Sequence, residues 1–104
     1  MPTVVNKKYH TPTDRDIYIG RPSPLGNPFT HKLGKTLAVY LLDSRDKAVS
    51  AYRHWIIQEI ENGNNDVIKA LDAIKEDSIL VCWCKPERCH GDIIVEIWRE
   101  RNAE

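Results

Sequence analysis

Ser78-Ile-Leu-Val-Cys82, then Trp83-Cys-Lys-Pro-Glu-Arg-Cys-His-Gly-Asp92, then Ile93-Ile-Val-Glu-Ile-Trp98: the reading of the fold turns on this stretch. The first piece is short and apolar, as a strand buried on both faces should be. In the last piece Ile93, Ile94, Ile97 and Trp98 recur at helical spacing, so an amphipathic helix runs from Asp92 onward and ends among charged residues. Strand, irregular loop and helix start therefore follow one another, with Cys89 just ahead of the helix.

Upstream, Asn65 to Lys75 predicts a helix with Val67, Ile68, Leu71 and Ile74 on its inner face. Before it, Ala48, Tyr52, Trp55, Ile56 and Ile60 fall at helical spacing. Ser44 is placed to cap that helix, Asp46 opposes its dipole, and Asn62-Gly63 closes it. Thr36 to Leu42 is apolar and fits either strand or helix. Asp16-Ile-Tyr-Ile19 alternates polar and apolar residues and stops at Gly20, which predicts a strand, and Thr3-Val-Val-Asn6 is a short β-like start. The order strand, strand, helix, helix, strand, helix implies an α/β fold. We expect a single small domain with a short, partly parallel sheet covered by three or four helices. Ligands of such sheets collect beyond the carboxyl ends of the strands.

Bulk properties bound the function. The 104 residues suit one domain able to bury a core without metal or disulfide staples. Fifteen basic residues balance fifteen acidic ones, so the formal net charge is zero. A protein that coats duplex nucleic acid normally carries a basic excess, and duplex binding is not expected. A local anion pocket needs only a few donors. There is no signal-peptide pattern and no apolar run of membrane-spanning length, so no membrane partner is expected. The three cysteines cluster between positions 82 and 89 in an odd-numbered set, which points to a reducing cytoplasm rather than a disulfide framework.

Three readings of the cysteine segment compete. In the first, Cys82, Cys84, Cys89 and His90 are the thiolate and imidazole ligands of a tetrahedral zinc ion. Against it, the Cys-x-x-Cys knuckle is absent, and Cys82 and Cys84 on a straight strand would stand roughly 7 Å apart at Cα. In the second, Cys84 or Cys89 is an activated thiol or part of an anion-binding loop at the helix N-terminus, with His90 and Asp92 managing protons. Cys82 to Arg88 matches Cys-x5-Arg, but the loop lacks glycine and Pro86 removes a donor. In the third, the cysteines only fill space, Trp83 packs on the opposite face and Asp92 caps the helix; for Cys82 alone this is the favoured reading.

The second conspicuous stretch, Gly20-Arg-Pro-Ser-Pro-Leu-Gly-Asn-Pro-Phe29, holds three prolines and two glycines, which excludes a regular element. Its stiffness lowers the ordering cost of binding. Gly20, Arg21, Ser23, Gly26 and Asn27, with Trp83 from the cysteine segment, are the candidate ligand-binding residues. Ser23 is better explained as part of a turn. Gly34-Lys35-Thr36 resembles the end of a phosphate-binding loop, but position 29, where that motif needs glycine, is Phe29. His10, His31 and His54 show no partner spacing and read as ordinary polar residues.

Together Ile17-Tyr-Ile-Gly-Arg-Pro-Ser-Pro-Leu-Gly-Asn-Pro-Phe29 and Cys82-Trp-Cys-Lys-Pro-Glu-Arg-Cys-His-Gly-Asp-Ile-Ile94 closely resemble domain-of-unknown-function family 4326, small domains of bacteria and their phages. The similarity spans nearly the whole chain and includes Tyr52-Arg-His-Trp-Ile56. The resemblance implies that Gly20, Arg21, Gly26, Asn27, Pro28, Cys82, Trp83, Cys84, Cys89, His90, Gly91 and Asp92 carry over, whereas Arg88 lies at a variable position. It implies no established activity. The expectation is an enzyme, or an enzyme-like ligand-binding domain, acting on a small anionic ligand such as a nucleotide or modified nucleobase. A zinc-stabilised, non-catalytic interaction module is the first rival. A small nucleic-acid binder using Trp55, Trp83, Trp98 and Lys7-Lys8 is the second, and it is disfavoured because the tryptophans fall on core-facing patterns.

Overall fold

A computed structural model of the protein describes residues 1–30, 40–41, 45–83 and 89–103. Three strands, β1 (Thr3–Asn6), β2 (Asp16–Tyr18) and β5 (Ile79–Cys82), form a sheet in the order β1-β5-β2. Both outer strands run parallel to the central one, with Val4 and Ile17 each level with Leu80. The sheet is thus parallel throughout, and the last strand of the chain lies between the first two. All three carboxyl ends consequently meet at one edge. Two further short strands, β3 (Phe29–Thr30) and β4 (Tyr40–Leu41), pair in parallel with each other; Phe29, expected to belong to the irregular loop, opens a strand because past Pro28 the backbone regains its N–H donor. Within the ambiguous stretch from Thr36 to Leu42, residues 40 and 41 are therefore strand.

The helices are α1 (Arg45–Glu61), α2 (Asn65–Asp72) and α3 (His90–Asn102). α1 ends where Gly63 takes a left-handed φ of 76°. There the Gly63 N–H donates to the Ile60 carbonyl and that of Asn64 to the Glu59 carbonyl, at 3.1 and 2.9 Å. This is the hydrogen-bond pair of a Schellman motif. Asn64 then caps α2, its side chain accepting from Asp66 and Val67. α2 stops at Asp72, three residues short of the expected Lys75. Its last turn tightens, with the Ile74 N–H donating to the Leu71 carbonyl, and Ile74 stays in the core although it has left the helix. α3 begins at His90, two residues earlier than its apolar pattern suggested.

The core joins these helices to one face of the sheet. Tyr52, Ile56, Val67, Leu71, Ile93, Ile94 and Ile97 pack with Ile19, Leu25, Leu80 and Cys82, and Val4 and Ile17 flank them. Alternation along the strands sends Val5, Val81 and Tyr18 to the opposite face. Gly91 lets α3 approach the sheet closely: a Cβ there would lie 2.7 Å from Val4 Cγ1 and 3.0 Å from Ile19 Cδ1. Among the described residues, no helix is long and apolar enough to cross a membrane. His31, Gly34-Lys35-Thr36, Ser44, Cys84, Pro86 and Arg88 lie outside the described residues.

Candidate functional site

The carboxyl edge of the sheet carries an exposed layer and a buried one. In the exposed layer a chain of hydrogen bonds crosses the ends of all three strands. The Asn6 side-chain amide donates to the Trp83 carbonyl at 3.3 Å. The Trp83 indole N–H donates to the Tyr18 hydroxyl, and that hydroxyl donates to the Arg21 carbonyl, each at 3.0 Å. The Lys7 ammonium stands 5.3 Å from the centre of the Tyr18 ring and 5.4 Å from that of the Trp83 ring, within cation–π range. Lys8 is placed similarly over Tyr9, at 5.6 Å. Trp83 is nevertheless 57% exposed. The Tyr18 ring lies over Gly20, where any Cβ would run into it.

The buried layer is built on the start of α3. Cys89 is the N-cap: its sulfur accepts the Gly91 N–H at 3.3 Å, and its own N–H donates to Asp92 Oδ2 at 3.2 Å. Together these bonds form a reciprocal capping box with sulfur in place of the usual hydroxyl. The Cys89 sulfur lies 3.6 Å from the Cys82 sulfur, and both residues are fully buried. His90 Nε2 is 2.6 Å from the Ile19 carbonyl. Since a carbonyl only accepts, that nitrogen bears the proton and donates. The imidazole meets the Tyr52 ring edge to face, with centres 5.1 Å apart. Burial lowers the His90 pKa to about 4, the nearby Arg21 guanidinium pushes it the same way, and the Ile19 carbonyl and Asp92 oppose the shift only in part. His90 is therefore neutral near pH 7 and ties the end of β2 to the start of α3.

The proline-glycine loop folds as two successive turns, closed by the Ser23 N–H to the Gly20 carbonyl and the Gly26 N–H to the Ser23 carbonyl, both at 2.9 Å. The Arg21–Pro22 peptide is cis. A Cβ on Gly26 would meet backbone atoms of Gly20, Arg21 and Ser23 at 3.0 to 3.1 Å, so this turn pair needs glycine there. Leu25 is buried, and its carbonyl accepts from the Tyr52 hydroxyl at 2.7 Å. Burial raises the Tyr52 pKa, which keeps that hydroxyl a donor. The Asn27 amide donates to the Ala48 carbonyl of α1 at 3.3 Å. The Ser23 hydroxyl oxygen is buried without a hydrogen-bond partner among the described residues.

The structure brings Gly20, Arg21, Cys82, Trp83, Cys89, His90 and Asp92 to one edge of the sheet. It turns the Asn27 side chain toward α1, and Cys84 is outside the described residues. Asn6, Lys7 and Tyr18 are additions to the site. Tyr18 ends a recognisable strand, but Asn6 and Lys7 become neighbours of Trp83 only because β1 lies beside β5. Among the described residues no three His, Cys, Asp or Glu side chains are grouped to hold a metal. The Cys82 and Cys89 sulfurs converge, while His90 Nε2 already faces the Ile19 carbonyl. Of the tryptophans, Trp98 is partly buried and donates to the Ile74 carbonyl, and Trp55 is partly buried beside Tyr52. The core-facing expectation therefore fits Trp55 and Trp98 but fails for Trp83, where the strand ends and its side chain leaves the core. His10, read as an ordinary polar residue, has its Nε2 2.9 Å from Asp16, whose carboxyl is held below its usual pKa by that bond.

No curated protein and no solved structure matches this chain. The model of one family, described as "Domain of unknown function (DUF4326)", matches residues 4–100, and the chain belongs to that family.

Proposed function

We propose that this domain binds a nucleotide or modified nucleobase at the carboxyl edge of its parallel sheet. The observation that carries the reading is Trp83, exposed yet held by hydrogen bonds from Asn6 and to Tyr18, with the Lys7 ammonium against its ring. A base stacked on such a ring gains about 1–3 kcal/mol. Because the ring is already held in place, little of that gain is lost to ordering. Lys7 supplies a cation for a phosphate or a base carbonyl, and Arg21 lies next to the same edge. The buried layer supports this surface from beneath. The Cys89 sulfur is fully buried, and His90 is neutral and engaged with Ile19, so both position the edge without touching a ligand of nucleotide size.

Titration calorimetry with nucleosides, mononucleotides and free bases tests the reading. Binding should be lost in Trp83→Ala and weakened in Arg21→Ala, while Lys7→Ala should weaken phosphate-bearing ligands more than free bases. Binding that survives Trp83→Ala, or no binding by any member of the panel, would remove this edge as a nucleotide site.

A further inference from the structure

We propose that Cys82 and Cys89 are a two-electron redox pair that closes to a disulfide when a hydroperoxide oxidises one of them. The two sulfurs are 3.6 Å apart, brought together from the end of β5 and the cap of α3. A disulfide needs an S–S distance of about 2.05 Å, so closure asks each sulfur to move by under about 1 Å. Side-chain rotation of that size leaves the strand and the helix in place.

The surroundings give the two thiols different roles. The Cys89 sulfur accepts the Gly91 N–H and sits at the positive end of α3, a setting that favours negative charge on sulfur. Cys89 is therefore assigned as the attacking sulfur, which gives up its proton as it attacks. It attacks one peroxide oxygen and the O–O bond breaks. Cys89 is left as the sulfenic acid, and the other oxygen leaves as water after taking up a proton. The Cys82 thiol, in contact with that sulfur, then loses its proton and displaces hydroxide, which leaves as a second water. Two thiols and one hydrogen peroxide become one disulfide and two waters. A low-molecular-weight dithiol reverses the bond by exchange.

Burial selects the reagent. Both residues are fully buried, so bulky alkylating agents and protein disulfides are kept out, while a peroxide of two heavy atoms enters when the first turn of α3 opens locally. Oxidation is also coupled to the surface. Trp83 follows Cys82 directly, and its indole hydrogen bond to Tyr18 reports any shift at the end of β5.

The test is intact-mass analysis and peptide mapping of the full chain after hydrogen peroxide, in the wild type and in Cys84→Ser. Both should become lighter by two hydrogens and yield a linked Cys82–Cys89 peptide, with mass and tryptophan fluorescence restored by dithiothreitol. Cys82→Ser should instead trap a sulfenic acid on Cys89, seen as a gain of one oxygen in intact mass and mapped with dimedone once the chain is denatured. A bridge that includes Cys84 in the wild type, two thiols still free after the methionine is oxidised, or stoichiometric zinc that protects both sulfurs would overturn the proposal.

Discussion

Trp83 is 57% exposed, whereas Cys82, the residue before it, is completely buried. The same alternation separates the two layers of the carboxyl edge. Cys82, Cys89, His90 and Asp92, the residue types that draw the eye as chemical groups, are largely spent on each other and on the backbone: a sulfur pair, a capping box and a histidine that holds β2 to α3. Tyr18 and Lys7, which carry no motif of their own in the sequence, instead join Trp83 on the exposed layer of the same edge. Reactive side-chain chemistry and access to solvent are separate properties, and here the backbone assigns them to neighbouring residues.

Substitutions in the two layers should therefore act on different observables. The largest stability effect is expected for His90→Ala, which empties a packed site against Tyr52 and leaves the Ile19 carbonyl unpaired. A loss of about 3–4 kcal/mol should appear in urea melts. A smaller change there would mean that the buried layer carries less of the fold than its packing suggests. His90 should also impose a pH dependence. Its folded pKa of about 4 lies below the ordinary 6.5, so in that interval the unfolded chain binds a proton that the folded one refuses. Stability is then fully present above pH 6.5 and falls as the pH drops toward 4, by up to about 3 kcal/mol. His90→Asn should flatten that slope, and an unchanged slope would assign it to other groups.

Gly91→Ala comes next. The added methyl would press on Val4 and Ile19, at an expected cost of about 1–3 kcal/mol. Tyr52→Phe leaves the Leu25 carbonyl without its donor and should cost about 1–2 kcal/mol, with nucleotide binding weakened only if the loop shifts. Trp83→Ala marks the other side of the comparison: its effect on stability should stay within about 1 kcal/mol while ligand binding disappears. If Trp83→Ala unfolded the protein, the exposed layer would be structural after all.

Much of this was legible in advance, for local reasons. The helix around Tyr52 and Ile56 and the closure at Asn62-Gly63 follow from spacing and from a glycine free to adopt a left-handed φ. The buried strand at Ser78–Cys82 and the loop imposed by Pro22, Pro24 and Pro28 follow from runs of a few residues. α3 starts two residues ahead of its apolar spacing because its cap is a cysteine, a residue type without a capping preference that would mark it in the sequence. The contact of His10 with Asp16 is not legible in the sequence because the two lie across a turn with no regular spacing.

By itself, then, the sequence determined the three helices, the three strands of the main sheet and the two long motifs that follow strand ends. These depend on periodicity, caps and turn residues acting over a single turn or strand. Only the tertiary structure decided that β5 lies between β1 and β2, that Asn6 and Lys7 border Trp83, and that two sulfurs seven positions apart come within 3.6 Å. A strand of four apolar residues can pair with many neighbours, and its partner is chosen by the packing of the whole sheet against the helices.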